Sequence, residues 1–289
     1  MIHWAVTRLI VNADDFGMTS GINRAIAELH QAGVLTSATL MARAAATDEA
    51  IEIACGTPSL GVGCHVVLVD GAPVSRDLAG LATEDRFPAT LGAFLKKLFA
   101  GIIRSEEIEA EATAQIRSLQ QRGVPLTHID THKHTHMFPQ VLRPVLRAAR
   151  ACGIRNVRNP FEPRWSAAAT PGAPFARRMQ VQVLRMLAAR FRRIVAEEEC
   201  TSTDGALGVL ATGTLDANTV QSLLRAQPSS GTYELVTHPG YNDAELGSVR
   251  TRLRASREME RQALTQLAGA ARVELISFAG LQAATGASS

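Results

Sequence analysis

The strongest constraint on the fold is a repeated alternation of short apolar segments with helical patterns. The apolar segments predict strands at residues 9–13, 35–41, 60–69, 126–131, 157–159, 207–211, 233–237 and 274–278. They are apolar on both faces, which is typical of parallel strands covered by helices. We therefore expect an α/β fold with mainly parallel strands. A (β/α) barrel, whether regular, distorted or incomplete, is favoured over an open doubly wound sheet because no G-x-G-x-x-G follows the first strand.

The predicted domain organisation is a single barrel over residues 1–280 with a flexible tail at 281–289. A basic amphipathic insertion is expected near 160–200. Its first part, 160–175, contains four prolines and predicts irregular structure, and a basic helix is expected at 176–196. The helix is also interpretable as an ordinary barrel helix, because its apolar residues recur at helical spacing. These residues are Val181, Leu184, Leu187, Phe191 and Ile194.

Composition excludes some classes of protein. A net charge of +3 is too small to indicate a nucleic-acid binder, and 4% aromatic residues argue against a long aromatic groove for a polymer. The four cysteines form no C-x-x-C pair, which indicates reduced thiols. No signal peptide and no apolar run of the roughly 18 residues needed to span a bilayer is evident. We expect a cytoplasmic protein. The sequence leaves open whether it forms a homodimer.

Polar residues are concentrated where the predicted strands end. The segments are NADDFG at 12–17, GCH at 63–65, HIDTHKHTH at 128–136 and THPG at 237–240. In a (β/α) barrel the carboxyl ends of the strands build the active site. These segments are therefore expected to converge on one rim.

The histidine-rich segment is the strongest functional signal. It holds four of the eight histidines within nine residues. A strand period of two would place His132, His134 and His136 on one face, in line with Asp130. Neutral imidazoles and a carboxylate suit zinc and other divalent ions. The competing interpretation is a solvated loop of histidines.

The remaining candidates are weaker when taken alone. Adjacent carboxylates such as Asp14 and Asp15 often form a turn or a helix N-cap, although at a strand end both can reach one cavity and take separate roles. His65 and His238 are each interpretable as buried structural histidines. Their positions at strand ends favour the rim instead, and the Pro-Gly after His238 predicts a tight turn that holds the ring there.

Together these motifs resemble the YdjC-like carbohydrate deacetylase family, which includes the chitooligosaccharide deacetylases. The resemblance rests on LIVNADDFG at 9–17, GVGCH at 61–65, THIDTHKHTHMFP at 127–139 and LVTHPGY at 235–241. It implies a (β/α) barrel and one divalent metal ion, zinc or magnesium, held by Asp15, His65 and His132. Asp14 would be the general base and His238 the acid that protonates the leaving amine.

The same resemblance implies that Asp130, His134 and His136 contact the substrate or support the metal ligands. Lys133 departs from the family pattern, since relatives often carry histidine there, and we expect its side chain to point away from the metal. The resulting reaction would remove an acetyl group from an N-acetylglucosamine unit.

Three further segments resemble the hopanoid-biosynthesis-associated deacetylases: CHVVLVDGAPV at 64–74, VRNPFEP at 157–163 and the basic helix at 176–196. This resemblance implies an N-acetylglucosaminyl hopanoid lipid as substrate. The basic amphipathic pattern of residues 176–196 is itself interpretable as a helix that makes peripheral contact with the anionic inner face of the cytoplasmic membrane. The alternatives are a deacetylase of soluble chitooligosaccharides, a metal-dependent phosphoesterase and a non-catalytic sugar- or lipid-binding protein.

Overall fold

The computed structural model describes residues 7–266 and 273–283. The strands are β1 Arg8–Phe16, β2 Ser37–Leu40, β3 Gly61–Val66, β4 Leu126–Thr131, β5 Asn156–Val157, β6 Thr201–Ser202, β7 Gly205–Leu207, β8 Thr232–Thr237 and β9 Glu274–Leu275. The helices are α1 Ser20–Gln31, α2 Thr47–Gly56, α3 Leu91–Phe99, α4 Ser105–Gln121, α5 Pro139–Ala151, α6 Arg164–Ala169, α7 Phe175–Leu184, α8 Ala188–Glu197, α9 Ala217–Arg225, α10 Ala244–Ser248, α11 Arg254–Thr265 and α12 Ala279–Ala283. Short 3₁₀ turns occupy His132–Met137 and Arg185–Leu187.

The sheet has the strand order β6-β5-β4-β3-β2-β1-β8-β7, and β9 pairs with β1. All the strand pairs that the structure describes are parallel. The strands at the two ends of this order, β6 and β7, are consecutive in the chain and are separated only by residues 203–204. The segment 201–207 therefore pairs with β5 through β6 and with β8 through β7. The expected α/β barrel with parallel strands is confirmed. Its distortion lies at this joint, where β5 and β6 are two residues long.

The helices cover the outside of the sheet, and the apolar faces of both meet in one large buried cluster. Most elements lie within a few residues of the predicted positions. The chain between β8 and β9 forms two helices, α10 and α11, and residues 267–272 lie outside the described part of the chain. The predicted tail begins inside α12, where Leu281 is buried, and residues 284–289 also lie outside the described residues.

The segment after β5 is longer than a barrel connection requires. Residues 158–187 leave the carboxyl end of β5 and contain α6, α7 and the second 3₁₀ turn, whereas α8 alone leads back to the amino end of β6. Residues 158–187 therefore belong to the end of the barrel where the strands' carboxyl ends meet, which we call the carboxyl face. None of the helices within the described ranges has the length and apolar character needed to cross a membrane.

Candidate active site

Two adjacent carboxylates enter the interior from the end of β1. In a regular strand Asp14 and Asp15 would point to opposite faces. The pairing of β1 with β2 shifts register between Ala13 and Phe16, and Asp15 has a φ of 65°. This bulge with a left-handed residue turns both carboxylates inward, where each is 3% exposed.

Asp15, His65 and His132 form what we call the three-ligand cluster. Asp15 Oδ1 lies 3.6 Å from His65 Nε2 and 3.3 Å from His132 Nδ1, and the two ring nitrogens are 3.3 Å apart. Ligands that bind a tetrahedral ion at 2.0–2.2 Å lie about 3.3–3.6 Å from one another. Asp15 Oδ1 is buried and accepts no hydrogen bond from the described residues. The donor set and its spacing therefore fit one divalent metal ion.

Asp130 fixes the orientation of His65. The two residues are register partners on β3 and β4, and His65 Nδ1 donates to Asp130 Oδ1 at 2.8 Å. Nε2 is thereby left facing the other two ligands, as metal-binding histidines require. Burial lowers the pKa of His65, but the carboxylates of Asp130, Asp14 and Asp15 outweigh it and raise the pKa to about 9. The cluster thus attracts positive charge, and a bound cation would replace that proton.

The backbone turns sharply directly after Thr131, so the expectation that His132, His134 and His136 share one strand face is wrong. Lys133 and His134 have φ values of 58° and 51°, and the segment forms a 3₁₀ turn. His132 alone of these three histidines joins the three-ligand cluster. Thr131 stabilises the turn, because its hydroxyl accepts a hydrogen bond from the backbone N–H of His136.

The other members of the histidine-rich segment lie around the cluster. His136 donates from Nε2 to the carbonyl of Arg158 at 3.2 Å, and its ring lies 6.2 Å from that of His134. Burial lowers the pKa values of His134 and His136 to about 3 and about 4, so both rings are neutral. Lys133 points away from the cluster, as expected, and contacts Asp70 at 3.1 Å.

Asp14 lies beside the cluster and is held as a carboxylate. Arg158 donates to both of its oxygens, at 2.8 and 2.6 Å, and Asn12 and Thr39 each donate to Oδ1. Burial raises the pKa of Asp14, but Arg158 and His65 dominate and hold it below the usual range. Asp14 is therefore ionised at any working pH.

His238 follows β8 directly and faces Asp14, with Nε2 3.7 Å from Asp14 Oδ2. Glu260 on α11 accepts a hydrogen bond from the backbone N–H of His238 at 2.6 Å and lies 3.7 Å from ring atom Nδ1. Burial lowers the pKa of His238, but Glu260 and Asp14 outweigh it and raise the pKa above the usual range. The site thus places a carboxylate next to an imidazole whose pKa is raised.

Sequence reasoning missed four buried residues of the site. Arg158 contacts Asp14, Asp130 and Glu234, while Arg257 contacts Asp15. Glu234 has its pKa raised to about 7 by burial, with Arg158 opposing the rise. The rule that strand ends build the site could have found Arg158, which directly follows β5. No pattern in the sequence distinguishes Arg257 and Glu260 from other charged residues of α11.

The whole of this site falls within residues 8–274, which match the family model described as YdjC-like protein. The chain belongs to the YdjC-like family. It is 43% identical over 143 residues to a carbohydrate deacetylase of Brevibacillus brevis, covering 49% of this chain and 55% of the relative. It is 40% identical over 148 residues to a chitooligosaccharide deacetylase of Escherichia fergusonii, covering 50% and 57%. The matches thus span little more than half of these relatives.

A solved structure confirms the fold of this YdjC-like chain over nearly its full length. The crystal structure is that of an Enterococcus faecalis V583 protein provisionally described as a cellobiose-phosphate cleavage protein. The TM-score is 0.73 at 25% identity, and the match covers 96% of this chain and 99% of the other.

Proposed function

We propose that this chain is a metal-dependent N-deacetylase of an N-acetylglucosamine unit. The observation that carries the proposal is the joint arrangement of three metal-type ligands, an ionised Asp14 and His238, whose pKa is raised by Glu260 and Asp14. Three protein ligands leave a tetrahedral ion with an open position, as in catalytic zinc sites. The carbohydrate deacetylases among the relatives support the same chemistry.

Zinc fits the cluster better than magnesium. Two imidazoles and one carboxylate are typical zinc donors, whereas magnesium prefers oxygen ligands and several waters. When bound, a divalent ion would polarise the acetamide carbonyl and lower the pKa of a coordinated water. The protein's own contribution to the metal site is the orientation of His65 by Asp130 and of Asp15 by Arg257.

Asp14 and His238 have complementary roles in the proposed reaction. Asp14 accepts the proton of the attacking water, and His238 donates its proton to the leaving amine. Arg158 lowers the pKa of Asp14, which keeps it ionised as a proton acceptor and makes it a weak base. Glu260 keeps His238 protonated to higher pH, as a general acid requires.

A phosphoesterase with two metal ions fits the structure less well. A second set of candidate ligands exists at Asp14, His65 and Asp130. However, the guanidinium of Arg158 contacts both carboxylates of this set. The guanidinium of Arg158 therefore already neutralises the carboxylates that would bind a second metal ion.

For the substrate, we propose an N-acetylglucosaminyl lipid of the hopanoid type, acted on at the inner face of the cytoplasmic membrane. The basic segment after β5 and the scarcity of aromatic residues support a lipid-linked sugar over a polymer. The chitooligosaccharide deacetylase of Escherichia fergusonii supports the competing soluble substrate. Acetate release from N-acetylglucosaminyl hopanoid and from diacetylchitobiose, compared side by side, decides between them.

The catalytic assignment is tested by removing one charge. Asp14→Asn should keep bound zinc, measured by elemental analysis, and lower acetate release by about 1,000-fold or more because the water loses its proton acceptor. Chelation of the metal should abolish release in the unaltered protein, and zinc should restore it. Asp48→Asn is the matched control, since Asp48 is an exposed carboxylate on α2. Unchanged turnover of Asp14→Asn would refute its role as base, and release of phosphate would favour the phosphoesterase.

A further inference from the structure

The surface carries one concentrated group of exposed apolar side chains. Phe175 is 78% exposed, Met179 48%, Val183 59% and Met186 81%, and they are four of the seven large hydrophobic residues that are exposed among the described residues. Their spacing of four, four and three residues places them on one side of α7 and the 3₁₀ turn that follows it. We call these four residues the exposed stripe.

The exposed stripe differs from the apolar pattern that the sequence analysis identified in the same segment. Val181, Phe191 and Ile194 of that pattern are buried, and Leu184 and Leu187 pack against the core. This buried pattern attaches the segment to the barrel, as the barrel-helix interpretation predicts. The exposed stripe is a second apolar surface that the packing of the described residues does not explain.

The segment that carries the exposed stripe has an excess of positive charge. Residues 163–196 contain seven arginines and no aspartate or glutamate. Among the described residues, only Arg193 of these seven forms an ion pair, with Glu197. Burial and the charge of Arg164 together lower the pKa of Arg185, which shows that positive charges lie close together here.

The exposed stripe lies at the same end of the barrel as the candidate active site. It belongs to residues 158–187, which stay on the carboxyl face between β5 and α8. Phe191, which follows this segment on α8, packs against Phe161 at 5.5 Å and lies 6.3 Å from His136. A surface that docks on the exposed stripe would therefore meet the same end of the barrel as the site.

We propose that the exposed stripe and its arginines dock the carboxyl face onto an anionic phospholipid bilayer. Exposed apolar side chains on one side of an arginine-rich helix are typical of helices that lie in a membrane interface. A second copy of this chain is a poor occupant, because a two-fold pairing would set the arginines of one copy against those of the other. The proposal deepens the proposed function, since it presents the site to a lipid-anchored sugar.

Vesicle sedimentation tests the docking without any measurement of turnover. The purified full chain is mixed with vesicles of phosphatidylcholine alone or with vesicles that also contain about 30% phosphatidylglycerol. The anionic lipid gives the second set of vesicles a negative surface potential. We expect at least about ten-fold stronger binding to the anionic vesicles at low salt, and loss of that preference at high salt. Equal binding to the two compositions, or no binding to either, would overturn the proposal.

Two sets of variants separate the apolar and the charged contributions. Phe175→Ser with Met186→Ser should weaken binding by about ten-fold or more, whereas Ile102→Ser with Leu275→Ser, which changes exposed apolar residues elsewhere, should not. Arg164→Gln, Arg185→Gln and Arg192→Gln combined should weaken it by about a hundred-fold. Circular dichroism verifies folding, and the arginine variants keep the proposal testable if the serine variant unfolds.

The outcomes also distinguish this proposal from its alternatives. A stripe variant that binds vesicles like the unaltered protein, or that converts a dimer into a monomer, would assign the exposed stripe to another partner. Vesicle binding does not depend on acetate release. Failure of the deacetylase assay would therefore leave the docking result standing, and failure of docking would leave the chemistry of the site untouched.

Discussion

Two groups of arginines on the same chain have opposite surroundings. Arg158 and Arg257 are completely buried, and each contacts at least one carboxylate of the site. The arginines of α7 and α8 are exposed or half-buried, and within the described residues almost all of them lack a carboxylate partner. Burial explains the difference, because a charge removed from water is tolerated only when an opposite charge and hydrogen bonds replace the water.

The difference indicates what each group can do. Buried arginines set the ionisation of their neighbours, as the lowered pKa of Asp14 shows. Arginines at the surface without carboxylate partners create a positive electrostatic potential outside the protein, which attracts anionic molecules and surfaces. One residue type therefore sets the ionisation of the candidate site in the interior and, by our proposal, recruits a membrane outside it.

The largest expected effect comes from removing the buried charge at Arg158. Arg158→Met keeps much of the side-chain volume but leaves Asp14, Asp130 and Glu234 together without their shared cation. We expect the free energy of unfolding to fall by about 3–5 kcal/mol, which is typical when one partner of a buried ion pair is removed and the other stays. Urea denaturation followed by circular dichroism measures this change.

The matched control for that variant is Arg155→Met. Arg155 lies just before β5 and is 53% exposed at its side chain, with Glu199 at 3.6 Å. Exposed pairs contribute about 0–1 kcal/mol, so this variant should be nearly as stable as the unaltered protein. Equal losses in the two variants would show that the buried network is not what stabilises the site.

The sequence predicts the barrel and most of the candidate site because both depend on local signals. Apolar strands with helices between them indicate parallel strands, and polar residues at strand ends indicate the rim. Strand-end position identified Asp14, Asp15, His65, His132 and His238 as candidates, and the family resemblance implied their separate roles. These residues converge because the carboxyl ends of parallel strands meet at one end of the barrel, and the strand pattern in the sequence predicts that topology.

The parts that were missed depend on contacts between distant segments. The turn after Thr131 requires left-handed backbone at Lys133 and His134, which no glycine marks. Arg257 reaches Asp15 across 242 residues of chain. In the arginine-rich segment, the sequence pattern identified the apolar residues that are buried and gave no signal for the exposed stripe.

A smaller effect is expected from the charge beside His238. Glu260→Gln removes the carboxylate that raises the pKa of the ring. Protonated His238 is the proposed acid, so activity falls as pH rises through its pKa in the folded protein. Without Glu260 that pKa is lower, and the alkaline limb of the pH–activity profile should move by about one unit toward acid.

Glu258→Gln is the control for this pH profile. Glu258 lies on the same helix α11 but is partly exposed and pairs with Arg261 rather than with His238. Its removal should leave the alkaline limb in place. A profile that stays unchanged in Glu260→Gln would mean that another group protonates the leaving amine, because an opposite charge this close must shift a catalytic histidine.

The smallest effect on stability is expected at Arg192, which completes the comparison between the two groups of arginines. Arg192 is exposed on α8 and forms no ion pair with the described residues. Arg192→Gln should therefore change the free energy of unfolding by less than about 0.5 kcal/mol. The same variant should weaken binding to vesicles containing phosphatidylglycerol by about five-fold, because one surface charge is lost. A stability loss as large as that of Arg158→Met, or no change in vesicle binding, would contradict the division between buried and exposed arginines.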